Sequence, residues 1–172
     1  ARMQAGVEAV AKNGPQHLFF RTSWLYSSFG NNFVKTMRRL GREKDKLTII
    51  ADQIGTPTYA RDLAKVLLES IGHLESAQAQ QRESLYGLYH YSNEGVASWY
   101  DFAHAVLQLS GIDTPVLPIP TEAYPTPAKR PAYSLLDKEK VKKAFQIEIP
   151  HWRDSLAQCL QALDQEQKAE IH

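Results

Sequence analysis

Three segments of the chain combine residue types that are typical of ligand-binding loops. The first, Arg21 to Tyr26, changes from apolar to polar at the end of a predicted strand. The carboxyl ends of parallel strands are where open α/β sheets bind ligands. Trp24 in this segment can stack on the face of a sugar or a base. Spacing alone favours the alternative that Trp24 is a core aromatic residue.

The second segment, Asp52 to Thr58, has the sequence DQIGTPT. It places a glycine, a proline and several hydrogen-bonding side chains directly after a predicted strand. The pattern by itself favours an ordinary strand-to-helix loop, with Thr58 or a neighbour as the helix cap. A ligand-binding loop is the alternative.

The third segment, Tyr124 to Ser134, contains prolines that stiffen a loop presenting Lys129 and Arg130. A guanidinium held in this way suits a diphosphate, because its planar fork binds two oxygens at once. A surface ion pair explains the same pattern equally well.

Several other kinds of site have no support in the sequence. No G-x-G-x-x-G turn follows a strand, so the chain itself shows no dinucleotide site. It also lacks the P-loop, H-E-x-x-H and G-x-S-x-G patterns. One cysteine and six scattered histidines are too few for a structural zinc site, so we assign no metal ligand.

The composition is that of an ordinary globular protein of 172 residues, with 43% hydrophobic residues. A net charge of +1 gives no general attraction to nucleic acid or to a membrane surface. The single cysteine, Cys159, fits a reducing compartment, so we expect a cytoplasmic protein. The chain opens with Ala1 inside a helical pattern that stops at Asn13 to Pro15, so we expect a fragment of a longer protein.

Predicted strands alternate with predicted helices, which indicates an α/β fold. The predicted strands cover about 17–25, 46–52 and 87–92, and an extended segment at 115–120 is expected to pair with 46–52. The polar residues 75–83 predict a surface loop or a fraying helix end. The predicted helices begin at Asn31 or Asn32, Ala60, Ser98, Asp137 and His151 and end near Arg42, His73, Leu109, Phe145 and Gln165.

Four blocks of sequence occur in a fixed order and together resemble one family. They are RTSWLYSSFGNNFVKTMRRL, DQIGTPTYARDLA, GLYHYSNEGVASWYDFA and PTPAKRPAYSLLDKEKV. The chain is similar over roughly residues 5–163 to the dTDP-4-dehydrorhamnose reductases. These extended short-chain dehydrogenases make dTDP-L-rhamnose with NADPH or NADH. The resemblance implies the C-terminal, substrate-binding portion of a Rossmann-like fold, without the glycine-rich cofactor-binding half.

The resemblance also implies roles for individual residues. Trp24 matches the family tryptophan that contacts the deoxysugar, and Arg130 matches an arginine of a substrate-side loop, which we infer holds the diphosphate. Asn32 and Phe33 match a pair at a helix start beside the sugar-nucleotide cleft. Gln53, Pro57 and Thr58 match a loop whose individual roles stay open. Strands at about 17–25 and 87–92 are expected to belong to the Rossmann sheet.

The chain departs from the family at the catalytic motif, Tyr-x-x-x-Lys. In the family the tyrosine protonates the C4 oxygen as hydride arrives, and the lysine lowers the pKa of the tyrosine. Met3 falls on the position of the lysine, and the tyrosine would precede Ala1. We therefore expect no catalytic and no cofactor-binding residue in this chain, and no reductase activity from it alone. Some family members place a magnesium ion between subunits, but we assign no residue to one here.

The expected partner is a dTDP-linked deoxysugar. A homodimer or other self-association is also expected, because strands of the large sheet would lack neighbours and expose their edges. One rival hypothesis is a non-catalytic nucleotide-sugar-binding or regulatory module, like the regulatory subunit of methionine adenosyltransferase, which has this fold. A reductase or epimerase acting on a different nucleotide sugar is another.

Overall fold

The computed structural model describes residues 8, 9, 12, 14, 16–124 and 130–169. The predicted first helix lies mostly outside these residues. The strands are β1 (Leu18–Arg21), β2 (Leu25–Tyr26), β3 (Leu47–Ile50), β4 (Ile54–Gly55), β5 (Thr58–Tyr59), β6 (Gly87–His90), β7 (Ala97–Ser98) and β8 (Val116–Ile119). The helices are α1 (Phe33–Glu43), α2 (Ala60–Ser76), α3 (Ala79–Leu85), α4 (Trp99–Leu109), α5 (Glu139–Phe145) and α6 (Trp152–Ala169), with a 3₁₀ turn at Thr121–Ala123.

The strands of the described residues form two-stranded pairs. β1 pairs with β6, β2 with β5 and β3 with β8, all in parallel, whereas β4 and β7 are antiparallel. Parallel neighbours need a long crossover, which the intervening helices provide. The α/β prediction is therefore confirmed, as is the pairing of the 115–120 segment with the 46–52 strand.

The strand predicted over about 17–25 is interrupted. β1 ends at Arg21, and β2 begins only at Leu25 and pairs with a different strand. The interruption contains Trp24, whose φ is +49°. This left-handed conformation is uncommon for a residue with a Cβ and turns the chain out of the extended direction. The prediction of one continuous strand was therefore wrong.

Capping side chains mark the starts of α1 and α4, and a glycine follows the end of α4. Asn32, not Asn31, caps α1, because its side chain accepts a hydrogen bond from the amide of Lys35. Ser98 and Asp101 form a complete capping box at the start of α4. Gly111, with a φ of +65°, follows the end of that helix in the left-handed conformation that glycine readily adopts.

Two predicted boundaries were wrong. Residues 75–83 are mostly helical, because α2 runs to Ser76 and α3 begins at Ala79. The guanidinium of Arg82 donates to the carbonyls of Glu75 and Ala77, which provides partners at the end of α2. At α5 the N-cap is Lys138 rather than Asp137, although the Asp137 carboxylate accepts a hydrogen bond from the amide of Glu139 at 2.9 Å.

The core of the described residues divides into two clusters. The larger one joins α1, α4 and α6 and includes Phe102, Val106 and Leu156, all fully buried. The smaller one packs β6 against α5. Among the apolar helix residues, Ile71 is exposed by 46% and Leu109 by 40%. Leu109 ends its helix, and Ile71 lies on the outer face of α2. No helix of the described residues is both long and apolar enough to cross a bilayer.

Cys159 lies fully buried on α6, and burial raises the pKa of its thiol to about 11. Only a thiolate reacts readily with a disulfide reagent. At pH 8 we expect native chain to react with dithionitrobenzoate at least about 100-fold more slowly than urea-unfolded chain, because the raised pKa leaves about one thousandth of the thiol ionised. Stopped-flow absorbance measures both rates, and equal rates would contradict the burial of this thiol.

Candidate functional site

The backbone brings the first two polar segments together. The amide of Thr58 donates to the carbonyl of Trp24 at 3.0 Å, and Leu25 is paired with Thr58 in the β2–β5 ladder. The two segments precede β2 and β5, so both enter the parallel ladder in the same direction. The loop after β1 and the DQIGTPT loop therefore form one continuous surface.

The third segment is fastened to the second one. The amide of Ile54 donates to the carbonyl of Ala132 at 2.8 Å, and the amide of Ser134 donates back to the carbonyl of Ile54 at 2.9 Å. The Ser134 hydroxyl also donates to this carbonyl, at 3.1 Å. All three segments singled out from the sequence thus meet around β4.

Trp24 occupies the middle of this arrangement. Its indole stacks on that of Trp99 with ring centroids 3.7 Å apart and planes 12° from parallel. Trp24 is half-buried, so the ring contributes to the core and also reaches the surface. Its left-handed backbone costs about 1–3 kcal/mol, and such conformations persist where surrounding contacts enforce them. They are concentrated at binding and catalytic sites.

Gly55 leaves the space that the Trp24 indole occupies. A Cβ at position 55 would lie 2.6 Å from Cε2 and 2.7 Å from Cζ2 of Trp24. It would also lie 2.9 Å from Oγ of Ser134. The glycine of the DQIGTPT loop is therefore required by the close approach of an aromatic ring, and not by its own turn geometry.

Asn32 and Phe33 join the same region from the start of α1. The ring of Phe33 lies 4.8 Å from that of Trp99. Besides capping α1, the Asn32 amide donates to the carbonyl of Ser27 at 2.7 Å and so fixes the loop after β2. Phe33 is therefore linked to Trp24 through Trp99, while Asn32 orders the adjoining backbone.

Gln53 and Thr58 are buried, whereas Trp24 reaches the surface. The Gln53 amide donates to Oγ1 of Thr121 at 3.1 Å. Thr58 is fully buried, and its hydroxyl has no hydrogen-bond partner within the described part of the chain. The neighbouring Asp52 accepts hydrogen bonds from the side chain and amide of Thr121, which lower the pKa of its carboxyl group. Thr58 does not cap α2, whose N-cap is Tyr59.

Arg130 is exposed, and Lys129 lies outside the described residues. Arg130 comes shortly before Ala132, which is bonded to Ile54, so the backbone near it is held against β4. Tyr133, in the same segment, is exposed by 67%. The exposed guanidinium is available to an anionic ligand, and the role inferred for it stays a prediction.

A buried network of polar side chains holds these loops against the starts of α2 and α6. The side-chain oxygen of Asn93 accepts from the amide of Tyr59 at 2.8 Å. Its amide group donates to the Asp62 carboxylate at 2.7 Å and to Ser155 at 2.9 Å, and the Ser155 hydroxyl donates to the same carboxylate at 2.5 Å. Asn93 is fully buried and joins the loop after β6 to the starts of α2 and α6. This network holds β5, and with it the backbone of Trp24.

Glu94, the next residue in this loop, adds ion pairs to the network. It pairs with Lys138 at 3.0 Å and also with Lys142. Burial alone would raise the pKa of Glu94, but the hydrogen bonds from Lys142 and Lys138 outweigh it and hold the pKa below its ordinary value. The loop after β6 is therefore attached to α5 by charges that persist at neutral pH.

The described residues do not fit a dinucleotide or a metal. Among the described residues, no glycine lies in a glycine-rich turn between a strand and a helix of the kind that binds a pyrophosphate. Among the described residues there is no group of three or more His, Cys, Asp or Glu side chains that could hold a metal ion. No residue is therefore assigned to magnesium.

Sequence reasoning overlooked three residues that build the site: Trp99, Gly55 and Asn93. Trp99 directly follows the N-cap Ser98 and so stands at the very start of α4, beside the loops. That position was the available signal. Nothing in the local sequence indicated that Gly55 would lie against an indole.

Parallel strand pairs with helical crossovers, and a cluster of loops where strands end, define an α/β protein of the Rossmann-like class. A family model described as the RmlD substrate binding domain matches residues 3–165. The chain belongs to this family.

The curated relatives point to the same family. The chain is 39% identical to the dTDP-4-dehydrorhamnose reductase of Escherichia coli K12 over 92% of its length and 54% of that protein. It is 38% identical to the spore coat polysaccharide biosynthesis protein SpsK of Bacillus subtilis over 91% of its length and 51% of that protein. The chain thus spans about half the length of the curated relatives it matches.

Solved structures agree with the fold. The dTDP-4-dehydrorhamnose reductase of Clostridium acetobutylicum matches with a TM-score of 0.83 and 39% identity, over 94% of this chain and 54% of that one. The enzyme of Bacillus anthracis, determined in complex with NADP, matches with a TM-score of 0.83 and 36% identity, over 92% and 53%. A UDP-galactose 4-epimerase, at 15% identity and a TM-score of 0.67, shares the fold alone.

Proposed function

We propose that this chain is the sugar-nucleotide-binding part of an NAD(P)H-dependent reductase that converts dTDP-4-dehydro-L-rhamnose to dTDP-L-rhamnose. The observation that carries the proposal is the meeting of three loops around Trp24, at the end of β1. The relatives named as dTDP-4-dehydrorhamnose reductases support the choice of substrate. In the parent enzyme, NADPH or NADH supplies the hydride.

Each loop contacts a different part of the ligand. The half-buried indole of Trp24 packs on the deoxysugar, whose methyl and ring carbons are apolar. The exposed Arg130 binds the diphosphate through its fork of N–H donors. Asn32 and Phe33 border the sugar-nucleotide cleft. Gln53 and Thr58 act mainly by shaping the loop, since both are buried.

The proton-transfer step is assigned to residues outside this chain. Residues 1–172 contain no Tyr-x-x-x-Lys pattern at the family's position, where Met3, outside the described residues, carries a neutral thioether in place of an ammonium group. A thioether neither binds a ribose hydroxyl as a cation does nor lowers the pKa of a tyrosine. The chain alone is therefore proposed to bind product and substrate without turnover.

Calorimetric titration of the purified chain tests the binding. We expect dTDP-L-rhamnose to bind at least about tenfold more tightly than UDP- or GDP-sugars. Trp24→Ala and Arg130→Ala should each weaken binding about tenfold, whereas Arg39→Ala should not change it, because Arg39 is exposed on α1 and paired with Glu43. Unchanged binding in both site variants would refute this location.

A second measurement tests inactivity. With NADPH and dTDP-4-dehydro-L-rhamnose, no substrate-dependent loss of NADPH absorbance is expected from the chain alone. Turnover by the purified chain would overturn the assignment of the proton donor. Binding to no nucleotide sugar at all would refute the proposed function itself.

A further inference from the structure

The Trp24 ring packs against the larger core cluster, and two of its contacts bear on its orientation. The backbone bond from Thr58 fixes the position of residue 24 but leaves its side-chain torsions free to change. Gly55 and Trp99 both lie against the indole. Gly55 lies against the edge of its six-membered ring, and Trp99 covers one face in a nearly parallel stack.

Trp99 is held more firmly than Trp24. It is the first residue of α4, whose start is fixed by the capping box of Ser98 and Asp101. Its ring also contacts Phe33 at 4.8 Å, and Phe33 in turn stacks on the fully buried Phe102 at 5.2 Å. A continuous series of aromatic rings therefore leads from the core to the face of Trp24.

Trp24, by contrast, sits in a short connection between β1 and β2 with a left-handed backbone. A ring on such a connection needs an external surface to keep one orientation. The nearly parallel stack provides that surface, because an offset or parallel aromatic contact restrains rotation about both side-chain torsions of its partner.

We propose that Trp99 is a positioning residue for sugar-nucleotide binding, which fixes the plane that Trp24 presents to the ligand. The inference rests on the proposed function, since it concerns the same site. Trp99 acts through Trp24. Its loss would allow the indole to rotate, and binding would then have to order the ring.

Three substitutions separate positioning from general packing. Trp99→Leu keeps apolar bulk but removes the flat surface, and we expect it to weaken dTDP-L-rhamnose binding about tenfold. Trp99→Phe restores a flat ring and should recover most of the affinity. Tyr100→Leu is the matched control, because Tyr100 is also half-buried, is next on the same helix and contacts His104 rather than Trp24.

A spectroscopic signature reports the stack without any ligand. Two stacked indoles give an exciton couplet in the far-ultraviolet circular dichroism spectrum. Trp24→Phe and Trp99→Phe should each abolish it. Trp152→Phe should retain it, because Trp152 meets Phe102 edge-on at 5.9 Å and is not part of the pair.

The outcomes are distinct. Wild-type affinity in Trp99→Leu, or an equal loss in Tyr100→Leu, would overturn the positioning role. If the unaltered chain binds no dTDP-L-rhamnose, the proposed function fails separately, and the fluorescence anisotropy of Trp24 decides the positioning. In a Trp152→Phe background, where Trp24 is the remaining tryptophan once Trp99 is replaced, faster depolarisation in Trp99→Leu than in Trp99→Phe supports the role, and equal depolarisation overturns it.

Discussion

Replacement of Asn93 by alanine is expected to lower the free energy of unfolding by about 3 kcal/mol, the largest loss of stability anticipated for a single polar side chain here. Asn93 is fully buried and bonds to the Tyr59 amide, the Asp62 carboxylate and Ser155. The alanine variant leaves the amide and the carboxylate without the partner that compensates for their burial. Urea denaturation followed by circular dichroism measures the change.

Two further variants keep this test decisive. Asn31→Ala removes an exposed asparagine and should change stability by less than about 0.5 kcal/mol. Ser155→Ala removes one member of the network and should cost about 1 kcal/mol, which is measurable even if the Asn93 variant fails to fold. A loss below about 1 kcal/mol for Asn93→Ala would show that the network contributes little.

Gly55→Ala is expected to have the largest effect on binding. The added Cβ would meet Trp24 at 2.6 Å and Ser134 at 2.9 Å, distances that real side chains do not adopt. The indole has to move off its stack, so we expect destabilisation of about 2 kcal/mol and at least about a tenfold loss of dTDP-L-rhamnose affinity. Urea denaturation and calorimetric titration measure the two effects.

Gly72→Ala is the matched control, because a Cβ at that position within α2 meets nothing within 4 Å. It should raise stability by about 0.5–1 kcal/mol through helix propensity. In a Trp24→Ala background, Gly55→Ala should cost much less than in the unaltered chain, since the clashing ring is gone. Additive costs of these two substitutions would contradict the proposed contact.

Local sequence signals predicted much of the fold. Asn32 and Ser98 were recognisable as helix starts because a capping side chain bonds within three residues of itself. The pairing of the 46–52 segment with the extended 115–120 segment was predicted, whereas its parallel direction comes from the structure. Two helix boundaries were misplaced, near residues 75–83 and at Asp137. Near the first, the Arg82 guanidinium donates to the carbonyls of Glu75 and Ala77, a contact that local periodicity does not report.

The geometry of the site was not predictable in the same way. Trp24 and Arg130 were singled out from their positions in polar segments, and the family resemblance added Asn32 and Phe33. The break at Trp24 depends on a positive φ that only distant contacts can enforce. The Trp24–Trp99 stack joins residues from different elements, and no local periodicity reports such a contact.

The two longest parallel pairs have a consequence for how the chain reaches its fold. Leu18 is paired with Gly87, and Leu47 with Val116, so in both pairs the partner comes 69 residues later in sequence. Loops of this length must close before either ladder gains its hydrogen bonds, and such non-local contacts slow folding. During synthesis β1 leaves the ribosome well before β6 exists. The apolar first strand therefore passes through a period without its partner, when chaperones and unwanted strand pairing compete for it.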